Sequence, residues 1–245
     1  MKKPLTTLAV LTLLVSSGTT VASGQSIYEE LATYNPGSTA EDMRLAVEDI
    51  AQRTGKSSEQ VAQENLEVAK ASAEKAEENG YRGDTVFRSA KEGLVYVGKA
   101  ENIGDFFIAP SNITRIPGVN HGHNALYVDT DILVEAPGLN RLSREVKVDD
   151  YKLPSGIEKY RVNTSQENRD AAARHAKENF IDKPYDIGFL NNKENGRQHL
   201  NCSELVWAAY FETSGIDLDS DGGTGVYPYD FQSSEHVTLY EEIKK

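Results

Sequence analysis

The chain has 245 residues, a net charge of −12 and one cysteine. That length supports one sizeable core with a small appended module. The acidic balance argues against nucleic acid or anionic lipid as a partner, and a single cysteine excludes a disulfide framework or a cysteine-based zinc finger.

In chain order, the opening MKKPLTTLAVLTLLVSSGTTVASGQ has Lys2 and Lys3, an apolar run from Leu5 to Val15, then small residues around Thr20 and Ala22. This is the order of a secretory signal peptide, and the run is too short to span a bilayer comfortably. The expectation is a signal peptide over 1–23 and export to a periplasm, a cell wall or the medium, with no stable membrane insertion after cleavage. An uncleaved amphiphilic anchor is the alternative.

Residues 26–80 read as a helical extension. Ser38, Thr39 and Glu41 mark one helix start, after which Met43, Leu45, Ala46, Ile50 and Ala51 recur at helical spacing. A second start at Ser57 and Ser58 opens an Ala-, Glu- and Lys-rich stretch that stops at Gly80. Its stripe of Ala62, Leu66, Ala69, Ala73 and Ala76 is thin, so it needs a surface to pack on.

From Leu94 short β-branched and aromatic runs alternate with Gly, Pro, Asp and Asn, the pattern of strands. Helix returns over 166–180 and again over 202–214, the second ending at Gly215. The expectation is an α+β domain over about residues 84–245, strands first and the cysteine helix after them.

Cys202 has no partner cysteine, so it is a buried filler, half of an intermolecular bridge, or a reactive group. Asn201 is a good N-cap and Glu204 completes a capping box, which places Cys202 at the first helical position. There the helix dipole and free N–H groups favour a thiolate. A base is available in HGHNALYVDTDILVEAPG: His123, Ala125 and Tyr127 share one strand face. With a three-residue loop, Val128 pairs with Ile132, and Glu135 falls on the face of His123. A two-residue loop turns Glu135 to the opposite face. A thiol, an imidazole and a carboxylate make the Cys–His–acid arrangement of acyl transfer.

Four pieces, GDFFIAP (104–110), HNALYVD with ILVEAPG (123–138), KPYD (183–186) and NCSELVWAAY (201–210), look like the successive motifs of one family. The chain resembles the circularly permuted papain-like amidases of the NlpC superfamily, in the YaeF/YiiX-like branch related to lecithin retinol acyltransferase. The resemblance spans about residues 94–235. It implies a permuted papain-like fold, an antiparallel sheet packed against the cysteine helix, with Cys202 as nucleophile, His123 as base and Glu135 as orienting acid. It also implies that Tyr185 lines the cleft and that Asn201, at a position where an aromatic is common, shapes the cleft floor. Both are thus candidate substrate-binding residues. Asn124 and Ala125 depart from the small apolar residues and glycine usual there, and His121 has no family role.

The implied activity is that of an exported cysteine peptidase or amidase acting on cell-wall stem peptides, with neither metal nor organic cofactor. The alternatives are an acyl-ester hydrolase or acyltransferase with the same triad, or a non-catalytic wall- or protein-binding module. A metal held by His121, His123 and Glu135 would leave Cys202 without a role. Asp217, Asp219 and Asp221 resemble half a calcium loop, but Pro228 stands where the closing bidentate glutamate belongs and only Asp230 could substitute.

Overall fold

The computed structural model describes residues 26–35, 38–78, 94–110, 122–138, 141–186, 188–194, 196–220, 222 and 225–244. The signal-peptide reading and His121 lie outside them. Among the described residues no helix is long and apolar enough to cross a membrane.

Three helices form the N-terminal module: α1 (Ile27–Tyr34), α2 (Ala40–Thr54) and α3 (Ser58–Glu78). Ser26 with Glu29 and Thr39 with Asp42 make capping boxes, and Gly55 ends α2 in the left-handed conformation. Each helix is amphipathic, and together they bury Leu31, Met43, Val47, Ile50, Val61, Ala62 and Leu66 in a core of their own. The reading of 26–80 as helical covers all three, with starts named only for α2 and α3.

The domain is built on a six-stranded antiparallel sheet in the order β5-β4-β3-β2-β7-β8. Its strands are β2 (Phe106–Ala109), β3 (His123–Asp129), β4 (Ile132–Glu135), β5 (Arg144–Lys147), β7 (Ile157–Val162) and β8 (Val237–Ile243). A two-stranded sheet pairs β1 (Val95–Tyr96) with β6 (Lys152–Leu153). Strand alternation sends side chains to two cores. On one face Phe106, Ile108, Leu126 and Val134 pack under α4 (Gln166–Asn179) and α5 (Cys202–Ser214). On the other, Phe107, Ala125, Tyr127 and Leu133 meet Val97 and Leu153 of the small sheet's segments and Val148 of a 3-10 turn. This is an α+β architecture with an antiparallel sheet covered by the cysteine helix.

Helix α5 is buried all round from Cys202 to Tyr210, not along one stripe. Tyr210 reaches back and its hydroxyl donates to the Gly104 carbonyl. Gly104 has φ +86, and a Cβ there would stand 2.6 Å from the Arg169 Cβ, so only glycine fits the turn.

The module docks on the domain where Ile50 meets Gly188, beside a cavity also lined by Met43, Val47, Phe189 and Tyr227. Phe189 and Tyr227 stack with centroids 4.8 Å apart.

Candidate active site

The α5 start holds Cys202 by local chemistry. Asn201 has extended backbone, its Oδ1 accepts from the Glu204 N–H at 2.9 Å, and Glu204 Oε2 accepts from the Asn201 N–H at 3.3 Å. Asn192 Nδ2 and the Ser203 hydroxyl add bonds to the same Asn201 oxygen, at 3.2 and 3.0 Å. Glu204 is in turn paired with Arg197 at 3.1 Å. Cys202 therefore sits on the first turn, 3 % exposed, with the positive end of the helix dipole at its sulfur. Asn201 is fully buried; its Oδ1 serves the cap, while its Nδ2 is buried without a hydrogen-bond partner.

His123 begins β3, directly after Gly122. Glycine is required before it: φ is +71, and a Cβ would stand 2.9 Å from the Tyr229 ring. Glu135 ends β4. The hairpin joins them by a route the sequence does not reveal. Its loop has two residues, Thr130 and Asp131, with Asp129 opposite Ile132, where the reading expects three. A β-bulge between Tyr127 and Asp129 takes up the extra residue, so Tyr127 faces Leu133 and Leu126 faces Val134. The register beyond the bulge is the one that puts Glu135 on the face of His123.

The two side chains meet. His123 Nε2 lies 3.3 Å from Glu135 Oε2. Two further residues complete the group, and sequence reasoning missed both. Arg144 donates Nε and Nη2 to Glu135 Oε1 at 2.9 and 2.8 Å. The Tyr151 hydroxyl donates to Glu135 Oε2 and lies 3.0 Å from His123 Nε2. Edge strand β5 and the 3-10 turn after it deliver these residues, and no local spacing announces either.

Electrostatics follow the contacts. Burial opposes ionisation of Glu135, but His123, Tyr151 and Arg144 outweigh it and draw its pKa down to about 2. Burial likewise opposes a charged His123, but the nearby Cys202 sulfur and Glu135 hold its pKa well above the ordinary histidine range. With Nε2 committed to Tyr151 and Glu135, Nδ1 is the nitrogen left for Cys202. Burial together with the nearby Cys202 sulfur raises the pKa of the Tyr185 phenol and keeps it protonated. Cys202, His123, Glu135 and Tyr185 thus lie together.

The acidic stretch at Asp217 is organised differently. Lys193 Nζ sits 2.5 Å from the buried Asp219 carboxylate, so an ammonium takes the place of a calcium ion there. Asp217 accepts from the Trp207 indole at 2.8 Å, and Asp230 from the Tyr227 N–H at 2.7 Å. Among the described residues no group of three His, Cys, Asp or Glu could hold a metal. Asp221 lies outside them.

No family model matches the chain. It is 31% identical over 228 residues to "Uncharacterized protein YycO" of Bacillus subtilis (strain 168), covering 88% of this chain and 86% of that protein. Among solved structures, that of "metalloprotein yiiX from Escherichia coli O157:H7, DUF1105" superposes with a TM-score of 0.44 at 15% identity, covering 59% of this chain and 98% of that one. A likeness that loose bears on neither fold nor function here.

Proposed function

The chain belongs to the same family as YycO, and we propose that it is a cysteine hydrolase that cleaves amide bonds through an acyl-enzyme. The fold we assign is the circularly permuted papain-like one, on the order of the four motifs and the cysteine helix under an antiparallel sheet. The observation that carries the reading is the contact of His123 with a buried, ionised Glu135, beside a cysteine at the start of a helix whose sulfur favours the imidazolium.

Cys202 attacks the carbonyl carbon as a thiolate. His123 Nδ1 takes the thiol proton and returns it to the leaving amine, and water then releases the acyl group. The Cys202 backbone N–H, free at the helix start, is the oxyanion donor. Tyr185 lines the site beside the sulfur. Export by the 1–23 signal would bring the enzyme to the cell wall, and stem peptides are the substrate class we assign. Acyl-ester transfer by the same residues is the second chemistry to screen.

The test needs no substrate. The alkylation rate of Cys202 is followed against pH in the parent and in His123→Ala. The expected result is a parent rate that has already reached its plateau at neutral pH, with that low-pH arm lost in the variant. An inert thiol, or one that titrates near about 8.5 in both proteins, would overturn the catalytic reading in favour of a binding module.

A further inference from the structure

Glu135 is the acid that the motifs assign to His123, yet the oxygen nearest to His123 Nε2 belongs to Tyr151, at 3.0 Å against 3.3 Å for the carboxylate. The donor inventory fixes what each atom can do. An imidazole nitrogen carries at most one hydrogen, and an ionised carboxylate carries none. The hydrogen between Tyr151 and Glu135 Oε2 therefore comes from the phenol. With its own hydrogen spent on Glu135, the phenol oxygen meets His123 as an acceptor. Glu135 Oε1 is meanwhile held by two donors from Arg144.

Tyr151 is also supported apart from the hairpin that carries His123 and Glu135. Its N–H bonds the Val148 carbonyl at 3.2 Å, and its own carbonyl accepts from Val97 at 3.3 Å, which ties it to the small sheet. Its ring lies against Phe107, centroids 6.3 Å apart, and the same Phe107 ring lies 6.0 Å from the His123 ring. The hydroxyl is thus aimed by packing that does not depend on the charges it serves.

We propose that Tyr151 is the positioning residue of His123: the chain of hydrogen bonds runs from His123 Nε2 to the Tyr151 oxygen and on to Glu135, and it fixes the imidazole as the Nε2–H tautomer with Nδ1 turned to Cys202. This rests on the reading of Cys202 and His123 as a reactive pair. The constellation then has four members, with a neutral hydroxyl between the imidazole and the buried carboxylate. Such a link orients the ring without taking its proton, because burial and Glu135 keep the phenol protonated.

Tyr151→Phe keeps the ring and removes only the hydroxyl. The expected result is a loss of about tenfold or more in Cys202 alkylation at mildly acidic pH, so that the pH profile moves toward that of His123→Ala while the melting temperature changes little. A second reading is independent of reactivity: ¹⁵N-histidine NMR of Cys202→Ala, raised in pH until His123 is neutral. With Tyr151 present it should show one tautomer, protonated on Nε2. With Tyr151→Phe added, Nδ1-protonated ring should appear in comparable amount. A parent-like low-pH arm and a single Nε2–H tautomer in Tyr151→Phe would show that Glu135 alone orients the ring and overturn the proposal. So would an Nδ1–H tautomer with Tyr151 in place, a result that needs no Tyr151 variant to fold. If the parent has no low-pH arm, the hydrolase reading falls on that result, and the tautomer still decides the role of Tyr151.

Discussion

The helical module and the sheet domain place their charges in opposite ways. On α2 the ion pairs run one turn apart in water: Arg44 with Glu41 and Glu48, and Arg53 with Asp49. In the domain, beside exposed pairs such as Lys99 with Asp131 and Lys177 with Glu145, four pairs join different segments with at least one member almost wholly buried: Glu135 with Arg144, Asp219 with Lys193, Glu204 with Arg197, Lys159 with Glu241. Exposed pairs of the first kind are screened and contribute little. A buried charge costs heavily unless it is fully partnered, so each pair of the second kind pins a particular side chain in one place. Here the pinned groups are Glu135, the cap of the cysteine helix, the turn beyond that helix and Lys159 between β7 and β8. The module is held by apolar fit, the site by charge.

The contrast should appear most strongly at Glu135. Its folded pKa, about 2, lies below the ordinary value of 4.5. The folded state then binds fewer protons than the unfolded one. The stability this gives is complete above about pH 4.5 and is lost as pH falls toward 2, a difference of about 3 kcal/mol. Glu135→Gln should flatten that acid limb, measured as urea midpoints at neutral and acidic pH. A limb unchanged by the substitution would mean that the burial of this charge contributes no stability. His123 has the opposite sign: its pKa is raised, so its contribution is complete below about pH 6.5 and is lost as pH rises through the folded value.

A smaller effect is expected where the module docks. In Gly188→Ala the new Cβ would stand 2.5 Å from Ile50 Cδ1 and 3.1 Å from Asp186 Oδ1. The cost should be about 1 kcal/mol, since the tip of an isoleucine can move. Ile50→Val removes that tip, so the double variant should recover most of the loss in a denaturation cycle. Independent, additive losses would show that the two parts do not touch there. Smallest of all, Arg44→Ala should leave the midpoint where it is. A clear drop would undo the contrast by showing that an exposed pair matters.

How much of this was legible depended on how local the cause was. Asn201, Cys202 and Glu204 lie within four residues, so the capping box and the place of the thiol could be read directly, as could the end of α5 at Gly215. Strand alternation gave the face of His123. Arg144 and Tyr151 reach Glu135 only because β5 pairs with β4 as an edge strand, and strand pairing leaves no mark on an isolated arginine or tyrosine. Asn201 shows a residue with two readings: the local capping chemistry accounts for its oxygen, while only the family position speaks to its buried, unpartnered amide nitrogen. Helix α5 carries no single apolar stripe, because a central helix is covered on every side and its hydrophobic period no longer reports one face.

The hairpin bulge carries a consequence for how this chain can change over time. Five residues, Val128 to Ile132, separate the facing pair Tyr127 and Leu133, divided between one bulged residue and a turn. A three-residue turn without a bulge would use the same five. What matters to Glu135 is therefore that Tyr127 stays opposite Leu133, however the turn and the bulge share the residues between them. Losing the bulged residue would leave a plain two-residue turn with the carboxylate still on the face of the imidazole, whereas slipping the pairing by one residue would carry it to the far side of the sheet. Length variation in this hairpin is tolerated where the turn or the bulge absorbs it, and descendants that keep the site should conserve the pairing of the strands beyond.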